Sequence, residues 1–141
     1  LIEYPSVIAA GDRPGEIFVA VDYMTGLGSD GKVKSEIRLV EDTDDDGYAD
    51  KATPIATGFN SIQGLAYQDG TIYVMHAPFL SRLRKDDGWK RTDLLMGLGL
   101  KPEDNASRLH CANGVVIEHD GWLYLAQGDN GIDVPRPEGD R

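Results

Sequence analysis

The sequence predicts an all-β chain, and three observations carry that expectation. A six-residue pattern (glycine, any residue, aliphatic, aromatic, aliphatic, small or apolar) occurs three times. The copies are Gly15-Glu16-Ile17-Phe18-Val19-Ala20, Gly70-Thr71-Ile72-Tyr73-Val74-Met75 and Gly121-Trp122-Leu123-Tyr124-Leu125-Ala126, with glycines 55 and 51 residues apart. Such short runs of aliphatic and aromatic residues, each opened by a turn glycine, read as strands. The 17 glycines and 7 prolines fall mostly between apolar runs, as many short strands require. Helical periodicity is weak: its best stretch, residues 91–100, is interrupted by Gly97 and Gly99 and stopped by Pro102.

Each copy sits inside a longer unit. Gly64-Leu65-Ala66-Tyr67 precedes the second copy and Gly114-Val115-Val116-Ile117 precedes the third. Ile37-Arg38-Leu39 follows the first and Ser81-Arg82-Leu83 the second, each trailed by an acidic turn, residues 42–47 and 86–88. A unit therefore reads as strand, Asp-Gly or Pro-Gly turn, aromatic strand, strand, acidic turn, strand. Four strands in about 50 residues is the pattern of a β-propeller blade. The units run over residues 1–58, 59–108 and 109–141, the last incomplete. A β-sandwich with similar hairpins is the other architecture these strands permit. Three blades are too few to close a ring, so the propeller expectation includes further blades in a longer parent chain.

Composition narrows the function. The net charge is −10, which disfavours nucleic acid and anionic membrane surfaces as partners. No apolar run approaches the length of a membrane span. The lone Cys111 excludes an intrachain disulfide and any Cys-rich metal or haem motif in these residues.

Five acids crowd residues 42–50, Asp42-Thr43-Asp44-Asp45-Asp46-Gly47-Tyr48-Ala49-Asp50. Acids at positions 1, 3, 5 and 9 with glycine at 6 can aim oxygens at one centre, and hard oxygen ligands suit Ca²⁺. Asp42, Asp44, Asp46 and Asp50 are the expected ligands, with the carbonyl of Tyr48. Position 12 is Thr53, so the bidentate glutamate of an EF-hand is absent. The expectation is a structural calcium loop between two strands; a solvated acidic turn is the alternative.

The third unit carries a second candidate. His110-Cys111-Ala112-Asn113-Gly114 and Gly128-Asp129-Asn130-Gly131 flank a stretch that turns at Asp120-Gly121. An antiparallel hairpin returns Asp129 to the end where His110 enters, about 4.8 Å away, one strand spacing. Asp129 would then fix the tautomer of His110 and make it a general base. A structural histidine beside an ordinary turn is the alternative. The second unit has Asn60 near the position of His110 and His76-Ala77 after its aromatic strand, so the pair belongs to one unit only.

The run from His110 to Gly131 resembles the catalytic blade of the soluble glucose and sorbosone dehydrogenases, six-bladed propellers that use pyrroloquinoline quinone (PQQ). The match comprises His110, Gly114, the strand Val115-Val116-Ile117, Asp120-Gly121, Leu123-Tyr124-Leu125 and Gly128-Asp129-Asn130-Gly131. With Glu41 to Asp50 and His110 to Gly114, the chain also resembles the propeller domain of planctomycete-type "membrane-bound dehydrogenase" proteins. The resemblance implies oxidation of a sugar or other alcohol, with His110 as base and Asp129 orienting it. It further implies a periplasmic or extracellular setting and a cytochrome c-type domain as electron acceptor. The residues that clasp the quinone lie in later blades of that family and have no counterpart here. A noncatalytic propeller that binds carbohydrate or protein, or serves as a scaffold, is the competing expectation.

Among smaller features, Cys111 and His110 are strand neighbours that point to opposite faces and so make a poor dyad. His76 and His119, at strand ends, are expected in solvent. Phe18, Tyr73 and Tyr124 are expected between blades, and Trp89 and Trp122 beside turns.

Overall fold

A computed structural model describes residues 2–23, 33–99, 112–129 and 131–135. Ten strands form three antiparallel sheets. The first holds β1 (Pro5–Ala10), β2 (Glu16–Val21), β3 (Ser35–Glu41) and β4 (Lys51–Phe59) in chain order. The second holds β5 (Gly64–Gln68), β6 (Thr71–His76), β7 (Phe79–Arg84) and β8 (Lys90–Met96), again in order. The third pairs β9 (Ala112–Ile117) with β10 (Leu123–Gln127). Each expected strand of the repeat is present, and the three aromatic copies are β2, β6 and β10. Residues 91–96 of the stretch with weak helical period belong to β8; the only helical piece among the described residues is one 3₁₀ turn, Lys85–Asp87.

The hairpin turns follow their sequences. Asp69 and Gly70 sit at φ +47° and +74° with Gln68 opposite Thr71, the two-residue loop that Asp-Gly favours. Before β10 the chain turns over residues 118–121, where the Gly121 amide donates to the Glu118 carbonyl (2.9 Å) and Gly121 sits at φ +81°.

The sheets stack face to face with β1 beside β5 and β5 beside β9. One core, including Phe18, Ile37, Phe59, Leu65, Ile72 and Leu83, fills the space between the first and second sheets. A second, built on Met75, Leu80, Ala112 and Val115, lies between the second and third. Strand alternation explains both: Ile72 and Val74 face the first sheet, while Tyr73 and Met75 face the third. Phe18 is buried as expected and Tyr73 is partly covered, but Tyr124 and Trp122 are exposed (52% and 71%) because no sheet covers that side of the third one among the described residues. Trp89 does pack beside its turn, edge-on to Phe18 at 5.5 Å.

Because every strand pairs antiparallel with its neighbour, connections alternate between two ends. Residues 60–63, 77–78 and 128–129 lie at one end, with the start of β9. Residues 11–15, 42–50, 69–70, 85–89 and 118–122 lie at the other.

Candidate functional site

The hairpin end comes first. Gln127 pairs with Ala112 and Ala126 with Gly114 across a register shift, so β10 returns to the end at which β9 begins. Asp129 is exposed there, just past β10, in a turn closed by the Gln127 side-chain amide donating to the Gly131 carbonyl (3.0 Å). Asn113 is exposed at the start of β9. His110, Cys111 and Asn130 lie outside the described residues.

Two polar clusters built on buried groups share this end, and the sequence flagged neither. At the seam of the first two sheets, Asp22 accepts hydrogen bonds from Ser35 (3.0 Å), Ser61 (2.8 Å) and Gln63 Nε2 (2.9 Å). These residues come from three segments, so no local motif announces them.

The second cluster corrects an expectation. His76 is fully buried rather than solvated, because Phe59 of the first sheet and Phe79 pack their rings against it at 5.0 and 5.5 Å. Its Nε2 lies 2.7 Å from Ser81 Oγ, and Ser81 donates to Asp93 Oδ1 at 2.6 Å. Burial pushes the Asp93 carboxyl up, but hydrogen bonds from Arg91 and Ser81 outweigh it and hold the group below the usual carboxylate range. The single Ser81 proton is thus committed to Asp93, so His76 Nε2 must donate to Ser81. The Nδ1 lone pair then sits buried without a hydrogen-bond partner. Burial, with Arg91 nearby, pushes His76 down to about 3, so the ring is neutral at any physiological pH.

The acidic loop lies at the opposite end. Ligating oxygens of Asp42, Asp44 and Asp50 come within 4.8 Å of one another. Asp42 Oδ2 accepts the Gly47 amide (2.8 Å), and that bond holds its carboxyl below the usual range. Asp42 Oδ1 is buried and has no hydrogen-bond partner. Gly47 sits at φ +90°, which a residue with a Cβ rarely adopts, so the sixth position needs glycine. Asp50 is held toward the centre by the Thr43 amide (3.1 Å) and hydroxyl (2.8 Å). Of the expected ligands, Asp46 stands apart: its Oδ1 accepts the Tyr48 amide (2.8 Å), and it is outside the converging trio. The Tyr48 side chain is exposed (77%). The Asp42 amide donates to the Gly15 carbonyl (2.9 Å), which ties this loop to the β1–β2 turn. A cleft of about 480 Å³, lined by Arg13, Gly15, Glu41, Asp42 and Asp45 among others, opens beside it.

Fold and sites together define an all-β protein of repeated antiparallel sheets, with a polar hairpin end and an acidic loop end. The family model described as "Domain of unknown function (DUF7133)" matches residues 1–141, and the chain belongs to that family. No curated protein and no solved structure matches it.

Proposed function

We propose that the chain is an arc of a calcium-stabilised β-propeller whose hairpin end acts on a sugar or other alcohol. The observation that carries this reading is the β9–β10 register, which delivers Asp129 to the end at which β9 begins, two residues after His110 in the sequence. His110 takes the proton of the substrate hydroxyl, and Asp129 holds the other ring nitrogen in the matching tautomer. Propeller-like packing supports the architecture: four-stranded meanders stacked face to face with their first strands side by side.

Oxidation of the alcohol needs a hydride acceptor, and the family resemblance suggests PQQ. The described residues do not fit that group. Its carboxylates call for free cations at the hairpin end, yet Lys34 bonds Asn60 (3.1 Å) and Arg91 is paired with Asp93. The acceptor is therefore left at the level of a quinone or equivalent two-electron acceptor, and the roles of His110 and Asp129 stand on proton handling alone.

The acidic loop supports the calcium. Three converging carboxylates and a buried Asp42 oxygen with no partner suit a hard cation with oxygen ligands. The ion's role is structural, since the loop lies at the opposite end from Asp129.

Dye-linked oxidation of a panel of sugars and alcohols, with PQQ and calcium added, tests the enzymatic reading. Activity that disappears in His110→Ala and falls in Asp129→Asn supports it. Activity unchanged in His110→Ala, or absent in the unaltered protein, favours a noncatalytic propeller that binds carbohydrate or protein. That second reading draws on the acidic loop, whose three converging carboxylates require no chemistry at the other end.

A further inference from the structure

The cluster around Asp22 fixes the orientation of one amide. Ser35 and Ser61 each donate their hydroxyl proton to Asp22 (3.0 and 2.8 Å). Ser61 Oγ is left with lone pairs, and it lies 2.8 Å from Gln63 Nε2. The same nitrogen lies 2.9 Å from Asp22 Oδ2. Two acceptors therefore face the Gln63 amide, and only its NH₂ group satisfies both. Both of its protons are then used, and Oε1, on the other limb of the amide, accepts no hydrogen bond among the described residues. The backbone beneath is pinned from two sheets. The Gln63 amide donates to the Met75 carbonyl (3.0 Å), and the Ser6 hydroxyl donates to the neighbouring Ile62 carbonyl (2.8 Å). Gln63 is half-buried at the hairpin end. It stands one residue before Gly64, where β5 meets Gly114 and Val115 of β9, and Asn113 is exposed one residue before Gly114. Gln63 and Asn113 thus precede the same strand contact from its two sides.

We infer that Gln63 determines specificity: its Oε1 takes the hydrogen bond of a ligand hydroxyl, and Asp22 acts through it as a positioning residue. An oxygen held as an acceptor discriminates among ligands. A hydroxyl satisfies it, whereas an ether, a carbonyl or a methylene does not. The inference rests on the proposed oxidation of an alcohol and narrows the substrate to a polyol. One hydroxyl gives its proton to the base while a second stays bonded to Gln63. A group held on paired strands by buried partners keeps that geometry without rearrangement when the ligand arrives.

Calorimetric titration of the full-length protein with D-glucose and with cyclohexanol, without any electron acceptor, tests the contact apart from turnover. The two probes share a six-membered ring and differ in hydroxyl count. Glucose should bind at least about tenfold more tightly, and Gln63→Met, which keeps the length and loses the acceptor, should remove the difference. Asp22→Asn gives the cluster a donor of its own, so the Gln63 amide reverses and presents N–H. Glucose should then weaken while cyclohexanone, which only accepts, tightens; a variant that merely misfolds weakens both, and circular dichroism identifies it. No glucose binding by the unaltered protein, or an unchanged preference in Gln63→Met, overturns the inference. Unchanged binding of both probes in Asp22→Asn overturns the role of Asp22. Glucose bound through Gln63 but never oxidised supports the contact and counts against the oxidation. Glucose oxidised equally well by Gln63→Met supports the oxidation and refutes the contact.

Discussion

At the scale of single residues, His76 shows how packing redefines a side chain. A histidine ending a strand ordinarily reaches water, but here Phe59 arrives from another sheet and seals it. Its stability consequence has a definite sign. The unfolded chain titrates His76 near 6.5, while the folded chain keeps it neutral down to about 3. Between those values the unfolded state binds the extra proton, so stability rises with pH and is lost on acidification. Moving from pH 7 to pH 5 should cost about 2 kcal/mol through this group alone, as linkage requires. The charged groups facing it are Arg91, Asp93 and Lys34. Urea unfolding at the two pH values, compared with His76→Gln, measures the difference; equal slopes in both proteins would remove the claim.

At the scale of elements, the acidic loop is the clearest test. Calcium at a hundred times its Kd should raise unfolding stability by about 2.7 kcal/mol. The gain should appear as a higher melting temperature that a chelator reverses. Asp44→Asn, which removes one charge from the converging trio, should weaken calcium at least about tenfold, since ligand charge sets affinity in such loops. Asp46→Asn should weaken it less, because Asp46 bonds its own turn. Calorimetric titration compares the two, and equal losses would show that the loop rearranges around the ion. The hairpins were the most legible elements of all. Asp69-Gly70 specifies its turn through a pair of left-handed backbone conformations open to few other residue pairs, so the strand boundaries there could be read directly, whereas at Asp120-Gly121 only the glycine is left-handed and the strands stop at Ile117 and Leu123.

At the scale of the whole molecule, the sheets meet most closely where β5 crosses β9. A Cβ on Gly64 would lie 3.0 Å from both Met75 Cβ and the Val115 amide nitrogen, and 3.1 Å from the Gly114 carbonyl carbon. Backbone cannot yield as a flexible side-chain tip does. Gly64→Ala should therefore destabilise by about 1–3 kcal/mol through overpacking, read in urea. The same substitution at an open site such as Gly58 tests only the left-handed backbone, because nothing lies within 4 Å. A Gly64→Ala protein as stable as the parent would mean the inner strands can separate at little cost.

The repeat alone determined much of this protein: the all-β class, the repeated strand-turn-strand units, the three aromatic strands and the position of the acidic loop. Those features depend on residues close in sequence, where periodicity and turn chemistry act without help. Tertiary structure decided what lies between sheets. It buried His76, gathered Asp22 with Ser35, Ser61 and Gln63, drew Asp42, Asp44 and Asp50 together without Asp46, and left Tyr124 bare while its counterpart Phe18 is covered. Each of these outcomes turns on which sheet lands on which face, or on how a loop closes. Burial of a side chain is a property of its neighbours in space, and a repeated pattern gives equivalent residues the same address without giving them the same neighbours.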